Sequence, residues 1–200
     1  MKIVETPLQD VFVVEPTVFG DDRGFFLESY NEERFAELGL PTRFAQDNHS
    51  GSRKGVLRGI HYQIQNPQGK LVRALVGEVF DVAVDLRKDS SSFGQSFGIL
   101  LSAQNRKMLW IPPGFGHGFL VVSEFAEFAY KATDFYAPQY DRTLLWNDPA
   151  LKIAWPMDTI NGEPILSAKD KVGSLLADAE VFNVSPAGSK LNLKPAVALS

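Results

Sequence analysis

Cysteine is absent from the 200 residues, and histidine is scarce, with 3 in the whole chain. The lack of cysteine excludes disulfide scaffolds, thiolate nucleophiles and cysteine-ligated metals. No apolar run approaches the roughly 18–20 residues that span a bilayer, and the first residues lack the basic start and apolar stretch of a signal peptide. We therefore expect no membrane partner and a cytoplasmic location.

Basic residues are fewer than acidic ones, with 20 lysines and arginines against 24 aspartates and glutamates. The formal net charge is −4 at pH 7, so the chain lacks the overall positive field that holds polyanionic nucleic acid. We expect no nucleic-acid partner. An anionic small molecule would need a local cluster of arginine and lysine, for which Arg23, Arg58, Lys70 and Arg73 are candidates, although surface ion pairs are an equal explanation for Arg23 and Arg73.

Short hydrophobic runs between turn signals are abundant. They are Val11–Phe19, Phe25–Tyr30, Val56–Gln63, Leu71–Val76, Val79–Leu86, Phe97–Ser102, Lys107–Ile111, Gly118–Val122 and Phe125–Phe135. This pattern is typical of an antiparallel β-sandwich or β-barrel. We predict an all-β fold with one domain over residues 1–182. Residues 183–200, low in aromatic side chains, are expected to be a loosely held tail of unknown role.

Two local patterns refine this prediction. Asn31 is placed to cap a short helix over Glu32–Leu38 that Gly39 would end, and a second helix is expected over about 168–177. The run Val79–Leu86 alternates apolar residues with Asp81, Ala83 and Asp85, so we expect one of its faces to lie in the core.

The segment Val56–Gln63 places an arginine and a histidine in an apolar strand. Burying Arg58 or His61 without a partner is costly, and a cavity open to a ligand would remove that cost. A core histidine with satisfied hydrogen bonds is the alternative. Because side chains alternate along a strand, the two residues would point to opposite faces, and Gly59 between them predicts a bulge that reorients one.

The other two histidines are less informative. His117 follows a turn rich in proline and glycine. This turn either presents the imidazole at the mouth of the barrel, or is itself held together by a hydrogen bond from the imidazole to the backbone. His49 is interpreted as a surface residue or one that supports the site from behind. Small β-barrels often hold metal through HxH with a nearby glutamate, but Gln63 stands two residues after His61, so we expect no metal.

Tyr130 and Asp170 each permit two interpretations. Tyr130 shares a strand face with Phe128 and is either a site residue or a core aromatic. Asp170 fits the S-x-x-D pattern that begins at Ser167 and opens a helix, and a catalytic role is as well supported as this capping role.

Most of residues 1–182 resemble the dTDP-4-dehydrorhamnose 3,5-epimerase family in the family's order. The segments that carry the resemblance are FGDDRGFFLE (19–28), QDNHS (46–50), GVLRGIHYQ (55–63), GKLVR (69–73), GEVFDVAVDLR (77–87), WIPPGFGHGF (110–119), AEFAYKATDFYAP (126–138), LLWNDP (144–149) and LSAKD (166–170). The resemblance implies a cupin-like jelly-roll barrel, a homodimer, a dTDP-4-keto-6-deoxy sugar as substrate, and no cofactor.

Site residues follow from the same resemblance. It implies that His61 is the general base, Asp170 its orienting carboxylate, Tyr130 the proton donor on the opposite face of the sugar, and Lys70 the cation beside the C4 oxygen. The positions that match those holding sugar or phosphate groups are Glu28, Gln46, Asn48, Arg58 and His117. The remaining matches are Tyr136, which aligns with a thymine-stacking position, and Phe19 and Arg23, which match residues reaching across the dimer.

Departures from the family pattern are few. Gly116 stands where alanine is usual, and Ser91-Ser92 replaces a Pro-Thr pair, and we expect both to be tolerated. Two other functions stay open: a related cupin sugar enzyme that acts at one carbon or moves the keto group, and a non-catalytic sugar-nucleotide binder. Single-site epimerases share almost the same residues, whereas a binder would not need the base, carboxylate, lysine and tyrosine together.

Overall fold

The computed structural model describes residues 1–189, which contain thirteen strands and one α-helix. The helix, α1, spans Glu32–Leu38. The strands are β1 (Lys2–Glu5), β2 (Phe12–Glu15), β3 (Val18–Asp21), β4 (Gly24–Leu27), β5 (Gln46–Arg53), β6 (Leu57–Gln63), β7 (Lys70–Val76), β8 (Glu78–Asp85), β9 (Ser96–Ser102), β10 (Met108–Ile111), β11 (Phe115–Val121), β12 (Phe125–Ala132) and β13 (Asp141–Thr143).

Two antiparallel sheets build the barrel. One has the strand order β1-β2-β10-β7-β12-β5, the other has the order β13-β6-β11-β8-β9, and β3 pairs with β4 in a separate hairpin. Most neighbouring strands are distant in sequence, which distinguishes a jelly roll from a simple meander. The prediction of an all-β, cupin-like jelly roll is confirmed.

The core between the sheets is apolar and is supplied by both. Its buried side chains include Val72, Leu109 and Phe128 from the six-stranded sheet, and Leu101 and Phe119 from the five-stranded one. The outer faces are covered as well. Helix α1 closes part of the first sheet, and segments from the C-terminal third of the described chain close the second.

Strand β8 shows the effect of this double covering. Val82 and Val84 pack under the C-terminal segments, as expected for a core face. The opposite face is buried too, since Asp81, Ala83 and Asp85 are each 0% exposed. The expectation of a single core face is therefore incomplete, because the alternation of residue types does not reveal which segments cover a sheet.

Helix α1 forms as predicted. The Asn31 side chain accepts a hydrogen bond from the backbone N–H of Arg34, and Gly39 ends the helix in the left-handed conformation at φ 76°. The helix expected over about 168–177 is wrong, since only a 3-10 turn over Asp170–Val172 forms there. The backbone leaves this turn at Gly173 and pairs instead with the segment after β13, through a bridge between Leu144 and Ser174.

Most predicted strands are present with altered ends. The run Val11–Phe19 is split into β2 and β3, and β5, with its polar sequence, was not expected as a strand. Within residues 1–189 no helix is both long and apolar enough to cross a membrane. In the predicted tail, Ser185 donates a backbone and a hydroxyl hydrogen bond to Asp89, while residues 190–200 lie outside the described part of the chain.

Candidate active site

A cavity of about 570 Å³ opens between the two sheets. A smaller cavity of about 180 Å³ adjoins it. His61, Lys70 and Tyr130 line both. The larger cavity is also lined by residues that include Asn48, His49, Ser50, Arg58, His117, Phe119, Leu166 and Asp170, and the smaller by residues that include Gln68, Tyr136, Asp141, Lys169 and Phe182.

A bulge brings Arg58 and His61 to the same cavity. In the pairing of β6 with β11, His61 lies opposite His117 but Arg58 lies opposite Phe119, so the register shifts by one residue between them. Gly59 stands at this shift with φ 119°, and a Cβ there would lie 2.5 Å from the Gly118 Cα atom. The predicted bulge is confirmed, and it depends on a glycine because two backbones meet there.

His61 is bonded to a buried carboxylate. Its Nε2 atom lies 2.5 Å from Oδ1 of Asp170, and Oδ2 of Asp170 accepts a hydrogen bond of 2.7 Å from the Ser167 hydroxyl. The Asp170 side chain is 3% exposed, whereas that of His61 is 31% exposed. The imidazole therefore reaches the cavity while the carboxylate behind it is shielded from water.

The environment of Asp170 keeps it ionised. Burial raises its pKa, but the hydrogen bonds from His61 and Ser167 outweigh this and hold the pKa below its usual value. The backbone N–H of Asp170 also donates to the Ser167 hydroxyl at 3.2 Å. Asp170 thus makes a backbone hydrogen bond of the kind expected from the S-x-x-D pattern, although the helix does not form, and its carboxylate contacts the histidine as well.

The side chains of Lys70 and Tyr130 lie near each other in the lining of both cavities. The Nζ atom of Lys70 lies 5.9 Å from the centre of the Tyr130 ring. Burial lowers the pKa of Lys70 to about 8. Burial also raises the pKa of Tyr130, although the positive charge of Arg58 opposes that change. Among residues 1–189, Lys70 has no ion-pair partner within 4 Å.

A second histidine–aspartate pair lies deeper in the barrel. Nε2 of His117 is 2.9 Å from Oδ2 of Asp81, and both residues are buried. Burial lowers the pKa of His117. Asp81 was not among the predicted site residues. An acidic residue in the middle of the apolar run Val79–Leu86 was the available signal, because a buried carboxylate needs a partner.

Gln46, Asn48 and Tyr136 are linked at one side of the site. The Gln46 side chain donates to Asn48 at 2.8 Å and accepts from the backbone N–H of Tyr136 at 3.0 Å. The Tyr136 hydroxyl donates to Asp141, which also pairs with Lys169. Neither Asp141 nor Lys169 was predicted. The Arg58 guanidinium donates to the Ser52 hydroxyl. His49 pairs with Glu127 at the surface, and it also borders the larger cavity.

Three predicted residues lie away from the cavities of their own chain. Phe19 and Arg23 are on the β3–β4 hairpin, where Arg23 pairs with Asp21. Glu28 follows β4 and contacts the Asn31 and Arg34 side chains. Across residues 1–189, no three or more His, Cys, Asp or Glu side chains cluster closely enough to hold a metal ion.

Comparison with known proteins agrees with this geometry. The family model for dTDP-4-dehydrorhamnose 3,5-epimerase matches residues 5–178. The enzyme of that name from Pseudomonas aeruginosa is 58% identical over 183 residues, which cover 91% of this chain and 99% of the relative. The one from Salmonella typhimurium is 56% identical over 181 residues, covering 90% and 97%.

A solved structure extends the similarity to three dimensions. The crystal structure of dTDP-6-deoxy-D-glucose-3,5-epimerase from Legionella pneumophila, in complex with dTDP-4-keto-L-rhamnose, matches with a TM-score of 0.87 at 46% identity. The match covers 92% of this chain and 99% of that one. From the family model, the sequence identities and the shared fold, we conclude that this chain belongs to the dTDP-4-dehydrorhamnose 3,5-epimerase family.

Proposed function

We propose that this protein is an isomerase that inverts C3 and C5 of dTDP-4-dehydro-6-deoxy-D-glucose and so forms dTDP-4-dehydro-L-rhamnose, in the biosynthesis of dTDP-L-rhamnose. The observation that carries the proposal is the placement of His61, Lys70 and Tyr130 around one cavity, with His61 bonded to the buried Asp170. These four side chains supply a base, a cation, an acid and an orienting carboxylate.

The reaction needs a base and a positive charge. A hydrogen on C3 or C5 is weakly acidic because C4 is a ketone, and its removal at neutral pH requires a base with a pKa near 7. We assign this role to His61. Asp170 accepts the hydrogen on Nε2, which leaves Nδ1 to take the proton, and its negative charge stabilises the imidazolium that forms. Lys70 would stabilise the negative charge that develops on the C4 oxygen.

Inversion needs a proton donor on the other face of the ring. A base that simply returned its own proton would restore the starting sugar. We assign the donor role to Tyr130, because its buried hydroxyl keeps a raised pKa and so retains its proton at neutral pH. The ketone makes the hydrogens labile and no electrons are transferred, so the proposed chemistry calls for neither a metal nor a nicotinamide.

The proposal extends to binding and assembly. Arg58, Gln46, Asn48 and His117 would hold sugar and phosphate groups, and Tyr136 would stack on thymine. Glu28 would likewise hold a sugar or phosphate group. The protein would act as a homodimer in the cytoplasm, with Phe19 and Arg23 completing the site of the neighbouring subunit. The Legionella relative supports the choice of ligand, since it binds a dTDP-4-keto sugar.

Deuterium incorporation tests the reaction. Incubation of dTDP-4-keto-6-deoxyglucose with the protein in heavy water, with chelator and without added cofactor, is expected to place deuterium at both C3 and C5. Both carbons exchange because each flanks the ketone. Label at one carbon would instead identify a single-site epimerase, and no label would identify a sugar-nucleotide binder.

Two histidine variants serve as controls for that experiment. His61→Ala should abolish exchange and leave the affinity for dTDP nearly unchanged, because it removes the base without touching the nucleotide contacts. His49→Ala should exchange at nearly the wild-type rate. His49 does border the larger cavity, but its side chain is 54% exposed and pairs with Glu127 at the surface. Exchange that survives in His61→Ala would mean that the base lies elsewhere.

A further inference from the structure

Asp81 is a buried carboxylate with one bonded oxygen and one free oxygen. Its Oδ2 atom contacts Nε2 of His117 at 2.9 Å. Its Oδ1 atom is buried and has no hydrogen-bond partner among residues 1–189. The residue is 0% exposed, so this carboxylate depends on His117 for the one hydrogen bond it makes. The same hydrogen bond that satisfies the buried Asp81 carboxylate also fixes the orientation of the His117 ring.

The surroundings of His117 favour a neutral ring. Burial lowers its pKa, and the nearby Lys70 and His61 side chains lower it further, while Asp81 acts in the opposite direction. A neutral imidazole carries one hydrogen, on one of its two nitrogens. We place that hydrogen on Nε2, because Nε2 is the nitrogen that contacts a carboxylate oxygen of Asp81, and such an oxygen accepts hydrogen bonds. Nδ1 is then an unprotonated acceptor.

The ring is held in place by packing as well. It stacks on Phe128 with an interplanar angle of 18° and a centroid distance of 6.1 Å. His117 lines the larger cavity, and no residue from 1 to 189 forms a hydrogen bond with its Nδ1 atom. The ring thus offers the ligand an unprotonated nitrogen that can accept a hydrogen bond. The His61 imidazole differs in its accessibility, because its side chain is 31% exposed, against 7% for His117.

We propose that Asp81 is a positioning residue that holds His117 as a neutral acceptor for a hydroxyl group of the sugar ring. The inference rests on the proposed function and deepens it. A bare nitrogen attracts a hydroxyl hydrogen, whereas it repels the oxygens of a diphosphate, which need hydrogen-bond donors. Of the two roles that the family resemblance leaves open for His117, contact with sugar or with phosphate, the structure favours the sugar.

Nitrogen-15 NMR of the histidine-labelled wild-type protein tests the ring directly. At neutral pH we expect His117 to be neutral with its hydrogen on Nε2, assigned by the loss of its signals in His117→Gln. This measurement does not depend on any variant that alters Asp81. A protonated ring, or a hydrogen on Nδ1, would overturn the proposal.

Asp81→Asn tests the consequence for substrate. An amide donates as well as accepts, so it permits the other tautomer. We expect kcat/KM for the keto sugar to fall by at least about tenfold. The inhibition constant of dTDP should stay within about twofold of the wild type, because in this proposal His117 contacts the sugar and not the diphosphate. An equal loss of dTDP affinity would show a phosphate contact and overturn the proposal, as would unchanged kcat/KM.

Asp148→Asn is the matched control. Asp148 is also buried, but it accepts hydrogen bonds from the backbone N–H groups of Ala150 and Leu176 and contacts no ring. We expect it to leave the His117 tautomer and kcat/KM unchanged, even if it lowers the melting temperature. The wild-type protein decides the proposed function separately. If it fails to exchange deuterium, the epimerase assignment is wrong, whereas normal exchange with an unaffected Asp81→Asn rejects the role of Asp81 alone.

Discussion

Lys70 is the site residue whose charge depends most on its surroundings. Burial lowers its pKa to about 8, while the negative charges of Asp141 and Asp81 act to raise it and the charge of Lys169 acts to lower it. The amine is therefore mostly protonated at neutral pH and mostly neutral at pH values well above 8. The positive charge that we propose to stabilise the enolate is therefore lost as the pH rises through about 8.

The pH dependence of kcat/KM should reveal this loss. As pH rises through about 8, Lys70 gives up its proton and its positive charge, so we expect kcat/KM to fall on the alkaline side. In Lys70→Arg the side chain stays charged at any assay pH, because the pKa of a guanidinium exceeds about 12. Residual activity of this variant should not fall near pH 8. An alkaline limb at the same pH in both proteins would assign the limb to another group.

Residue types and spacing alone indicated a few candidates for the site, whereas the roles predicted for the other residues came from the resemblance to the family. Arg58, His61 and His117 drew attention because polar groups in apolar strands or rigid turns need a partner, and the structure brings them to one cavity. Asp81 and Asp141 were missed for a different reason. Whether an acidic residue on a strand faces water or the interior depends on the segments that cover the sheet, and those lie far away in sequence.

At the level of the strands, the active site depends on a close approach between β6 and β11. Gly59 and Gly118 allow the two backbones to meet at the bulge. Next to them, Gly116 occupies the position where alanine is usual in the family. A Cβ atom there would lie 2.5 Å from Cγ2 of Ile60 and 3.5 Å from Cδ1 of Leu86. In this chain Ile60 fills the space that an alanine methyl group would take.

Gly116→Ala should therefore destabilise the protein. The added methyl group collides with the fully buried Ile60, and overpacking of this kind costs about 1–3 kcal/mol. For a chain of this size the melting temperature falls by roughly 2–4 °C per kcal/mol, measured at one fixed protein concentration. Adding Ile60→Ala should cost less in the Gly116→Ala background than in the wild type. Additive costs would show that the two side chains do not compete for the same space.

Strand β5, which the sequence did not predict, also has a physical explanation. In β5 the side chains of Gln46, Asn48, Ser50 and Ser52 are the less exposed set, and two of them line the larger cavity. An inward face made of polar residues serves a ligand site, so it lacks the apolar alternation by which strands are recognised.

The predicted helix near residue 170 does not form, because pairing between Leu144 and Ser174 overrides the local helix signals.

At the level of the whole molecule, the β3–β4 hairpin is the feature that a single chain leaves unexplained. Its aromatic side chains are unusually accessible, with Phe19 62%, Phe25 60% and Phe26 69% exposed. An exposed apolar group of this size is typical of a surface that binds another protein. Burial of the hairpin against a second copy of the chain would remove this exposure and would bring Phe19 and Arg23 to a cavity they do not reach in their own chain.

Mixing two inactive variants tests whether the hairpin acts on the neighbouring subunit. Arg23→Ala and His61→Ala, co-refolded in equal amounts, should regain about a quarter of wild-type activity, because half of the dimers are mixed and each has one intact site. A mixture of His61→Ala with Lys70→Ala is the control. Both residues line the same barrel, so no site in that mixture is intact and no activity should return. If mixed dimers form but the first mixture also stays inactive, Arg23 serves its own subunit, and the exposed hairpin needs another explanation.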